Sequence, residues 1–529
     1  MTTGVSLNGI DIGLIALYFV SAIALGIWFG RRHDTAEDFF LAGRGMLWPI
    51  IGLSLFASNI SSTTLVGLAG DAYATGISVF NYEWMAAVVL VVFAIFFLPS
   101  ILRARVYTMP EFLSRRYDDR ARTWFSLLTL FLNIVVDTAG GLYAGALLLK
   151  MIFPGLSIWT TVTVLALAAG VYTIAGGLAA VMFTDAIQAV LLLIGSVLIT
   201  IFALDRVGGW EVLVASVPAA KLSLIRPPGD PGVPWPGLVT GVVLLGFYFW
   251  CTNQFMVQRV LAAKNLDHGR WGVLFAGLLK LPVLFIMVLP GSFAILLYPG
   301  LENPDLVYPT MLVDLLPVGV TGLVLAGFVA ALMSQIDSTL NSASTLVTMD
   351  FVRRWKPELG PHQLMRVGQI ATFVFMVLAV LWAPQIQNFG SLFKYLQAIL
   401  AYTVPPIVAM FVLGVLWPRA NASGGVAALL AGGLGGAVFF VLNEVAREER
   451  AIHFLYVAPI LFLFSALVLI AVSLLTAPPP PEKTEGLVWT RQSFREESAM
   501  LASVPWWQNY RILSAGLLLL TALIVIAFR

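Results

Sequence analysis

The segment at 330–350 carries an unusual density of oxygen-bearing side chains for so apolar a chain. It reads "AALMSQIDSTLNSASTLVTMD", with hydroxyls, amides and two carboxylates in one run. Helical offsets of three and four place Ala331, Ser334, Gln335 and Ser338 on one stripe, because those offsets recur on a single face. Such a stripe suits a hard cation, which prefers oxygen ligands, but it also suits a seam of hydrogen bonds between two helices. The pattern by itself leaves both interpretations open.

Ionisable side chains inside the apolar segments form a second group of candidates. Charged groups at membrane depth are costly unless they are paired or hydrated. The group comprises Glu83, Asp137, Asp185, Lys280 and Asp337, with Lys394 nearer a segment end. A salt bridge or hydrogen bond that only joins helices is the structural alternative for each of them. We interpret Asp137 and Lys394 as structural and the other four as functional candidates.

Two apolar segments are interrupted by polar runs and predict broken helices. The first, "GLSLFASNISSTTLVGLAG", crowds hydroxyls and an amide into its middle, and the second, "LLGFYFWCTNQFMVQR", is polar from Cys251 to Gln254. A helix unwound near 57–60 would free backbone carbonyls, which can coordinate a cation beside a cavity at membrane depth. The two breaks lie five segments apart, which is the spacing of two five-helix units inserted with opposite orientation.

The composition indicates a polytopic membrane protein. Of its 529 residues, 59% are hydrophobic and 11% charged, and the mean hydropathy is +0.92, far outside the range of soluble proteins. Because about 20 apolar residues cross the hydrocarbon, we predict fourteen transmembrane helices. They lie at roughly 9–30, 47–71, 78–101, 123–152, 157–180, 185–205, 236–260, 271–298, 317–348, 367–387, 391–416, 423–443, 454–475 and 511–528.

The distribution of basic residues predicts the orientation. The loops on one side of these helices carry 21 Lys and Arg and the segments on the other side carry six. The positive-inside rule therefore places both termini outside. In a bacterium this corresponds to the inner membrane with periplasmic termini. The first helix is not preceded by basic residues or followed by a small-residue cleavage site, so we expect it to remain in the mature protein.

Several function classes fit the sequence poorly. A net charge of +2 without a basic run argues against a nucleic-acid partner, and one cysteine with four scattered histidines argues against a disulfide framework or a histidine metal site. The chain has no P-loop pattern, no soluble module and no grouping of residues that suggests an enzyme. An uncoupled channel is an alternative, but the sequence shows no ring of pore residues or selectivity loop.

Longer motifs resemble those of the sodium/glucose cotransporter branch of the solute:sodium symporter family. They are "YEWM" at 82–85, "WCTNQFMVQRVLAAKN" at 250–265, "LLKLPVLFIMVLPG" at 278–291, "NSASTLVTMDF" at 341–351 and "YLQAILAYTVPPIVAMFVLGVLWPR" at 395–419, and the likeness extends back to 36–48. The resemblance implies an all-α fold like that of the bacterial leucine transporter, with 14 helices and a five-plus-five inverted repeat. Its parts would be a first helix and inner loop at 1–46, repeats at 47–206 and 236–422, and three C-terminal helices at 423–529 with an inner loop at 476–511.

The resemblance also implies a set of substrate contacts. These are Asn59, Thr64, Glu83, Phe249, Trp250, Lys280 and Gln397. Relatives place a tyrosine at position 249 and often glutamine or histidine at position 64, so the choice of sugar stays open. A sugar offers hydroxyls that both donate and accept, and carboxylate, ammonium and amide groups beside an aromatic platform suit such a ligand.

Two sodium sites follow from the same resemblance. The first, called Na2 in the family, would use the carbonyls of Ala57, Ile60 and Ala331, the hydroxyl of Ser334, and Gln335 in place of the usual fifth hydroxyl. A second site, present in some members, would use Asp185 with Asp337 and Ser338. The oxygen-rich run at 330–350 is then interpreted as a cation-binding face.

The resulting prediction is a sodium-coupled symporter that imports a galactose- or glucose-like sugar by alternating access. Na⁺ is the expected coupling ion, with no organic cofactor, and the lipid bilayer and a small solute are the expected partners of a chain that functions as a monomer. A symporter of another small solute, such as a sialic acid, amino acid or carboxylate, is the alternative. A transported carboxylate would be expected to require an arginine or an open helix N-terminus in place of Glu83.

Overall fold

The computed structural model describes residues 8–30, 35–152, 155–389, 392–446 and 452–529, and nearly all of them are helical. Nine helices in this part of the chain are long and apolar enough to cross a membrane. They are Ile77–Arg103, Asp119–Lys150, Leu178–Val207, Trp235–Thr252, Val320–Trp355, Pro361–Gln387, Ala422–Glu444, Phe454–Leu475 and Tyr510–Ala527. The architecture is therefore all-α, as the sequence predicts.

Three further spans are pairs of helices bent at a short break, which raises the number to as many as twelve among the described residues. They are Trp48–Asn59 with Ser62–Ala74, bent by 58°, Leu266–Leu279 with Leu284–Leu297, bent by 42°, and Tyr395–Thr403 with Pro405–Leu416, bent by 51°. Proline accounts for the last two bends, since it cannot donate the helical hydrogen bond. Pro282 follows the end of Leu266–Leu279, and Pro405 begins the second half of the other pair.

Helical structure covers each of the fourteen predicted segments, but the count of fourteen is not confirmed. The segments predicted at 157–180 and 185–205 lie in one continuous helix, Ile158–Val207, of 50 residues. At 1.5 Å per residue it is roughly 75 Å long, more than twice the ~30 Å thickness of the hydrocarbon. The helix Gly9–Gly30 covers the first predicted segment, although only its Gly9–Tyr18 part is found as a short apolar helix.

The first broken helix, Trp48–Asn59 with Ser62–Ala74, is interrupted within its polar run. The backbone leaves helical geometry at Ile60, with φ −82° and ψ 79°, and the Ser61 side chain caps the second half by accepting from the Thr64 N–H. Serine is a favoured N-cap because its oxygen satisfies a free backbone N–H. The break falls at the C-terminal end of the stretch predicted to unwind, 57–60, because regular helix continues to Asn59.

The second broken helix, Trp235–Thr252 with Gln254–Leu261, is interrupted at one residue. Asn253 adopts φ −63° and ψ 128°, and its side chain accepts from the N–H of Phe255. A π-helical turn, Tyr248–Thr252, immediately precedes the break. This interruption falls within the polar stretch that the sequence singles out, because an Asx cap both ends one helix and begins the next.

The oxygen-rich helix, Val320–Leu346, lies at the centre of the protein. The span that contains it is 89% buried, whereas the last span, Tyr510–Ala527, is 22% buried. It packs along Ile158–Val207 and also contacts both halves of the first broken helix. Its hydroxyls and carboxylates therefore face protein groups rather than lipid, where unpaired polar groups would be costly.

Candidate functional site

A cavity opens beside the breaks of the two broken helices and encloses about 830 Å³, part of it continuous with solvent. Its wall combines hydroxyl, amide, carboxylate and aromatic groups. The lining residues are Ser58, Asn59, Ser61, Thr63, Thr64, Tyr82, Glu83, Val136, Asp137, Val242, Leu245, Gly246, Phe249, Trp250, Phe255, Gln335, Phe393, Leu396, Gln397 and Leu400. Six of the seven residues predicted to contact substrate, all except Lys280, line this one cavity.

Lys280 lies behind the cavity wall as the partner of Glu83. Its Nζ donates to Oε2 of Glu83 at 2.5 Å, and the two side chains are 0% and 7% exposed. The ammonium also lies 5.5 Å from the ring centroid of Trp250 and 5.6 Å from that of Phe56. The ion pair fixes the carboxylate at the cavity surface and neutralises its charge there.

Asn59 and Thr64 hold the broken end of the first helix in a defined shape. The Thr64 hydroxyl donates to the main-chain oxygen of Asn59 at 2.7 Å. The side-chain oxygen of Asn59 is buried in the cavity wall, and no described group donates to it. A buried acceptor without a donor is uncommon in native proteins, so this oxygen is available to a hydroxyl-bearing ligand.

Aromatic rings form the apolar part of the wall. Phe249 makes edge-to-face contacts with Trp250 and Phe255, with ring centroids 5.4 and 5.6 Å apart. Tyr82 and Phe393 form a second edge-to-face pair at 5.2 Å. These rings present carbon surface on which the C–H face of a sugar could pack.

Phe249→Ala is expected to weaken retention of substrate about fivefold, since an aromatic contact is worth roughly 1 kcal/mol. Phe249→Tyr retains the ring and is expected to stay close to the parent. The measurement is the half-saturating substrate concentration for uptake, with Phe373→Ala, at an exposed phenylalanine, as the control. Parent-like uptake by both Phe249 variants would show that the ring is only a packing residue.

The cavity wall also contains residues outside the predicted set of substrate contacts. Phe393 lies one helical turn before Gln397, so the i, i+4 spacing could have revealed it. Tyr82 adjoins Glu83 in the "YEWM" motif. Asp137, interpreted from sequence as structural, lines the cavity. No sequence signal distinguishes it from a carboxylate that joins helices.

The residues predicted for the Na2 site lie at the contact between the first broken helix and the oxygen-rich helix. Ala57, Ile60, Ala331 and Ser334 are fully buried, and the hydroxyls of Ser58 and Ser338 share a hydrogen bond of 3.3 Å between the two helices. The Ser61 N–H donates to Asn59 O at 3.0 Å, so the carbonyl of Ala57 loses its regular helical partner.

Two of the predicted Na2 side chains are engaged by other groups in this structure. The Ser334 hydroxyl donates to Oδ1 of Asp185 at 2.5 Å. The Gln335 Nε2 donates to the main-chain oxygen of Asp137 at 2.8 Å, and Gln335 lines the cavity. The structure thus brings the two helices together. The Gln335 amide, however, faces the cavity, whereas the Ser334 hydroxyl binds Asp185.

The residues predicted for the second sodium site form a buried network around Arg259. Oδ2 of Asp185 accepts from Arg259 Nη2 at 2.9 Å and from the Ser54 hydroxyl at 2.6 Å. Arg259 also donates to the Ser338 hydroxyl, which in turn lies 3.2 Å from Oδ1 of Asp337. Asp185, Asp337 and Ser338 are therefore brought together, and a guanidinium provides the positive charge among them.

Arg259 lies in the protein interior and not in an inner loop, where the count of basic residues places it. Its side chain is only 1% exposed. Its position at the end of "WCTNQFMVQR", inside the second broken helix, was the available signal. A charge on a half-helix that turns back into the protein can reach the interior, whereas a loop charge remains in water.

The sequence comparisons identify a transporter family. Residues 39–432 match the sodium:solute symporter family. The sodium/glucose cotransporter 4 of Danio rerio is 36% identical over 95% of this chain and 84% of its own length. The sodium/glucose cotransporter 1 of Oryctolagus cuniculus is 35% identical over 93% of this chain and 82% of its own length. The sodium/myo-inositol cotransporter 2 of Oryctolagus cuniculus is 36% identical, with 94% and 81% covered.

Solved structures show the same fold. A Na⁺-coupled sialic acid symporter in a substrate-bound, outward-open state superposes with a TM-score of 0.78 at 24% identity, covering 89% of this chain and 99% of that one. Mhp1, a nucleobase-cation-symport-1 family transporter, gives 0.57 at 14% identity, covering 84% and 97%. The predicted leucine-transporter-like fold is thereby confirmed. Since the family match spans most of the chain, the protein belongs to the sodium:solute symporter family.

Proposed function

We propose that this protein is a sodium-coupled symporter that imports a neutral, hydroxyl-rich solute, a sugar or cyclic polyol, across the membrane. The observation that carries the proposal is the cavity in which the Glu83–Lys280 pair, Asn59 and Gln397 lie beside Trp250. The names of the relatives, sodium/glucose and sodium/myo-inositol cotransporters, support it. The reaction is transport by alternating access, without covalent chemistry.

The charges of the cavity favour a neutral substrate over an anionic one. The ammonium of Lys280 is paired with Glu83, and the guanidinium of Arg259 is paired with Asp185. Among the described side chains, neither cation is therefore free to bind the carboxylate of a sialic acid or amino acid. Glu83 can accept from a sugar hydroxyl, and the Asn59 and Gln397 amides can both donate and accept.

Sodium coupling is proposed to use the contact between the first broken helix and the oxygen-rich helix. Backbone oxygens of Ala57, Ile60 and Ala331 would bind one Na⁺ with Ser334, as the family resemblance implies. A second would bind at Asp185, with Asp337 and Ser338, when Arg259 withdraws. Na⁺ binding at the break would stabilise one arrangement of the repeats at 47–206 and 236–422, which is how an ion biases alternating access.

The proposed location is the inner membrane of a bacterium, with both termini outside. Three of the basic residues assigned to the inner side, Arg116, Arg259 and Arg270, are buried in the protein. Eighteen basic residues still remain on that side, against six on the other. The positive-inside rule therefore supports the same orientation after this correction. The protein is proposed to act as a monomer.

Uptake into proteoliposomes tests the proposal. Labelled galactose, glucose, myo-inositol, sialic acid and an amino acid are offered with an inward Na⁺ gradient, with a K⁺ gradient as the control. We expect accumulation of a sugar or of myo-inositol that needs Na⁺ and stops when the gradient is dissipated. Accumulation of only the sialic acid or the amino acid would replace the sugar by the alternative solute, and equilibration without accumulation would indicate a channel.

A further inference from the structure

Asp137 occupies an unusual position in the cavity wall. It lies in a π-helical turn, Asn133–Thr138, within the span Asp119–Lys150. Such turns interrupt the regular hydrogen-bond pattern and are frequent at functional sites. The carboxylate lines the same cavity as Glu83, on a different helix.

The charge of Asp137 is not balanced as the charges of the neighbouring acids are. Glu83 pairs with Lys280 at 2.5 Å and Asp185 pairs with Arg259 at 2.9 Å. No described side chain donates a hydrogen bond to the Asp137 carboxylate or forms an ion pair with it. The side chain of Lys394 lies outside the described part of the structure. A carboxylate set in a cavity wall at membrane depth without a counter-charge favours a bound cation.

A second oxygen without a described donor, Oε1 of Gln335, lies against the helix that carries Asp137. The Gln335 Nε2 donates to the main-chain oxygen of Asp137, which orients the amide. Its Oε1 is buried, and no described group donates to it. A Cβ placed on Gly141, one helical turn after Asp137, would lie only 2.9 Å from this Oε1. Gln335 therefore lies against the same helix within one turn of Asp137, and both residues line the cavity.

We propose that Asp137 and the side-chain oxygen of Gln335 form a Na⁺-binding position in the wall of the substrate cavity, separate from Asp185. The inference rests on the proposed function. Both groups are hard oxygen ligands, as Na⁺ prefers, and one of them carries the compensating charge. A neutral sugar would satisfy the hydrogen-bonding capacity of the amide oxygen but would leave the carboxylate charge uncompensated.

The test is equilibrium binding of ²²Na⁺ to the purified protein, which does not depend on sugar transport. Asp137→Asn retains the size of the side chain and removes its charge. We expect this variant to bind one sodium ion fewer than the parent, or to bind it with about tenfold lower affinity, since ligand charge sets cation affinity. In proteoliposomes, the charge moved per solute should fall by one. Asp314→Asn, at a half-exposed surface aspartate, is the matched control.

Gly141→Ala provides a second variant that retains both ligands. The added methyl group must displace the Gln335 oxygen, so Na⁺ affinity should fall severalfold while the charge of the cavity stays the same. Because alanine is a better helix former than glycine, folding should be preserved even if Asp137→Asn does not fold. Parent-like ²²Na⁺ affinity in Gly141→Ala and in any folded Asp137→Asn would overturn the proposal.

Two further outcomes would also overturn it. Weaker sugar binding by Asp137→Asn at saturating Na⁺, with ²²Na⁺ binding unchanged, would make Asp137 a sugar ligand. If adding Lys394→Gln restores parent-like ²²Na⁺ binding to Asp137→Asn, Asp137 is the ion-pair partner of Lys394. Failure of Na⁺-driven sugar uptake by the parent, with ²²Na⁺ binding that is lost in Asp137→Asn, would refute the proposed sugar substrate and retain the cation position.

Discussion

Lys280→Ala is expected to abolish Na⁺-driven uptake. The substitution leaves Glu83 buried without the ammonium that lies 2.5 Å from its carboxylate. Breaking a buried pair in this way costs about 3–5 kcal/mol of stability, and the carboxylate would no longer be held at the cavity surface. A lost hydrogen bond between the solute and this carboxylate, worth about 1.5–3 kcal/mol, corresponds to a decrease in solute affinity of roughly 10- to 150-fold. The measurement is solute binding and uptake by protein whose folding is verified by thermal unfolding.

Two comparisons separate substrate binding from stability. Lys150→Ala removes an exposed lysine at the end of a helix and should behave like the parent. Adding Glu83→Gln to Lys280→Ala removes both charges, so it should recover thermal stability without recovering uptake. Gln397→Ala, in the same wall, should weaken solute affinity on its own. Unchanged affinity in both Lys280→Ala and Gln397→Ala would refute the assignment of this cavity as the substrate site.

Asp185→Asn is expected to produce the second large effect, on sodium coupling. The proposed second site would lose its charged ligand, so the charge moved per solute should fall by one and half-activation should require more Na⁺. The same change leaves the guanidinium of Arg259 buried without its carboxylate, which should lower stability by about 3–5 kcal/mol. Solute-evoked current, solute flux and thermal unfolding together measure these changes.

Adding Arg259→Gln to Asp185→Asn distinguishes the two roles of this carboxylate. If Asp185 serves only as the partner of Arg259, the double variant should regain stability. The charge moved per solute should then equal that of the parent in both the single and the double variant. If Asp185 also binds Na⁺, stability should recover while the charge per solute stays reduced. A ratio equal to that of the parent in Asp185→Asn, with unaltered sodium dependence, would show that no coupled ion binds there.

The sequence predicted the fold from features that are local along the chain. Apolar segments long enough to cross the bilayer gave the spans, because hydrocarbon excludes unpaired polar backbone. Polar runs predicted the two helix breaks to within a few residues, and the structure places them at the caps formed by Ser61 and Asn253. The division into fourteen spans was less secure, because nothing local ends the helix Ile158–Val207 between the two predicted segments.

The candidate site was predicted less completely than the fold. Motif resemblance selected seven substrate residues, and the structure places six of them around one cavity. The motif resemblance could not show that Lys280 lies behind Glu83. It also gave Asp137 no role in substrate binding, because a carboxylate that joins helices and one that faces a cavity look alike in sequence. Only the absence of a partner among the described side chains distinguishes the two.

The sequence by itself determined that the chain is a membrane transporter with two broken helices and, after them along the chain, an oxygen-rich helix. Only the tertiary structure decided which charge neutralises which. Glu83 meets Lys280 across 197 positions of the chain, Asp185 meets Arg259 across 74, and Gln335 turns to Asp137 across 198. Hydropathy and helical periodicity are properties of a segment, whereas the partner of a buried charge depends on how distant helices pack. The same oxygen can therefore be a seam between helices or a ligand, and its neighbours in space decide which.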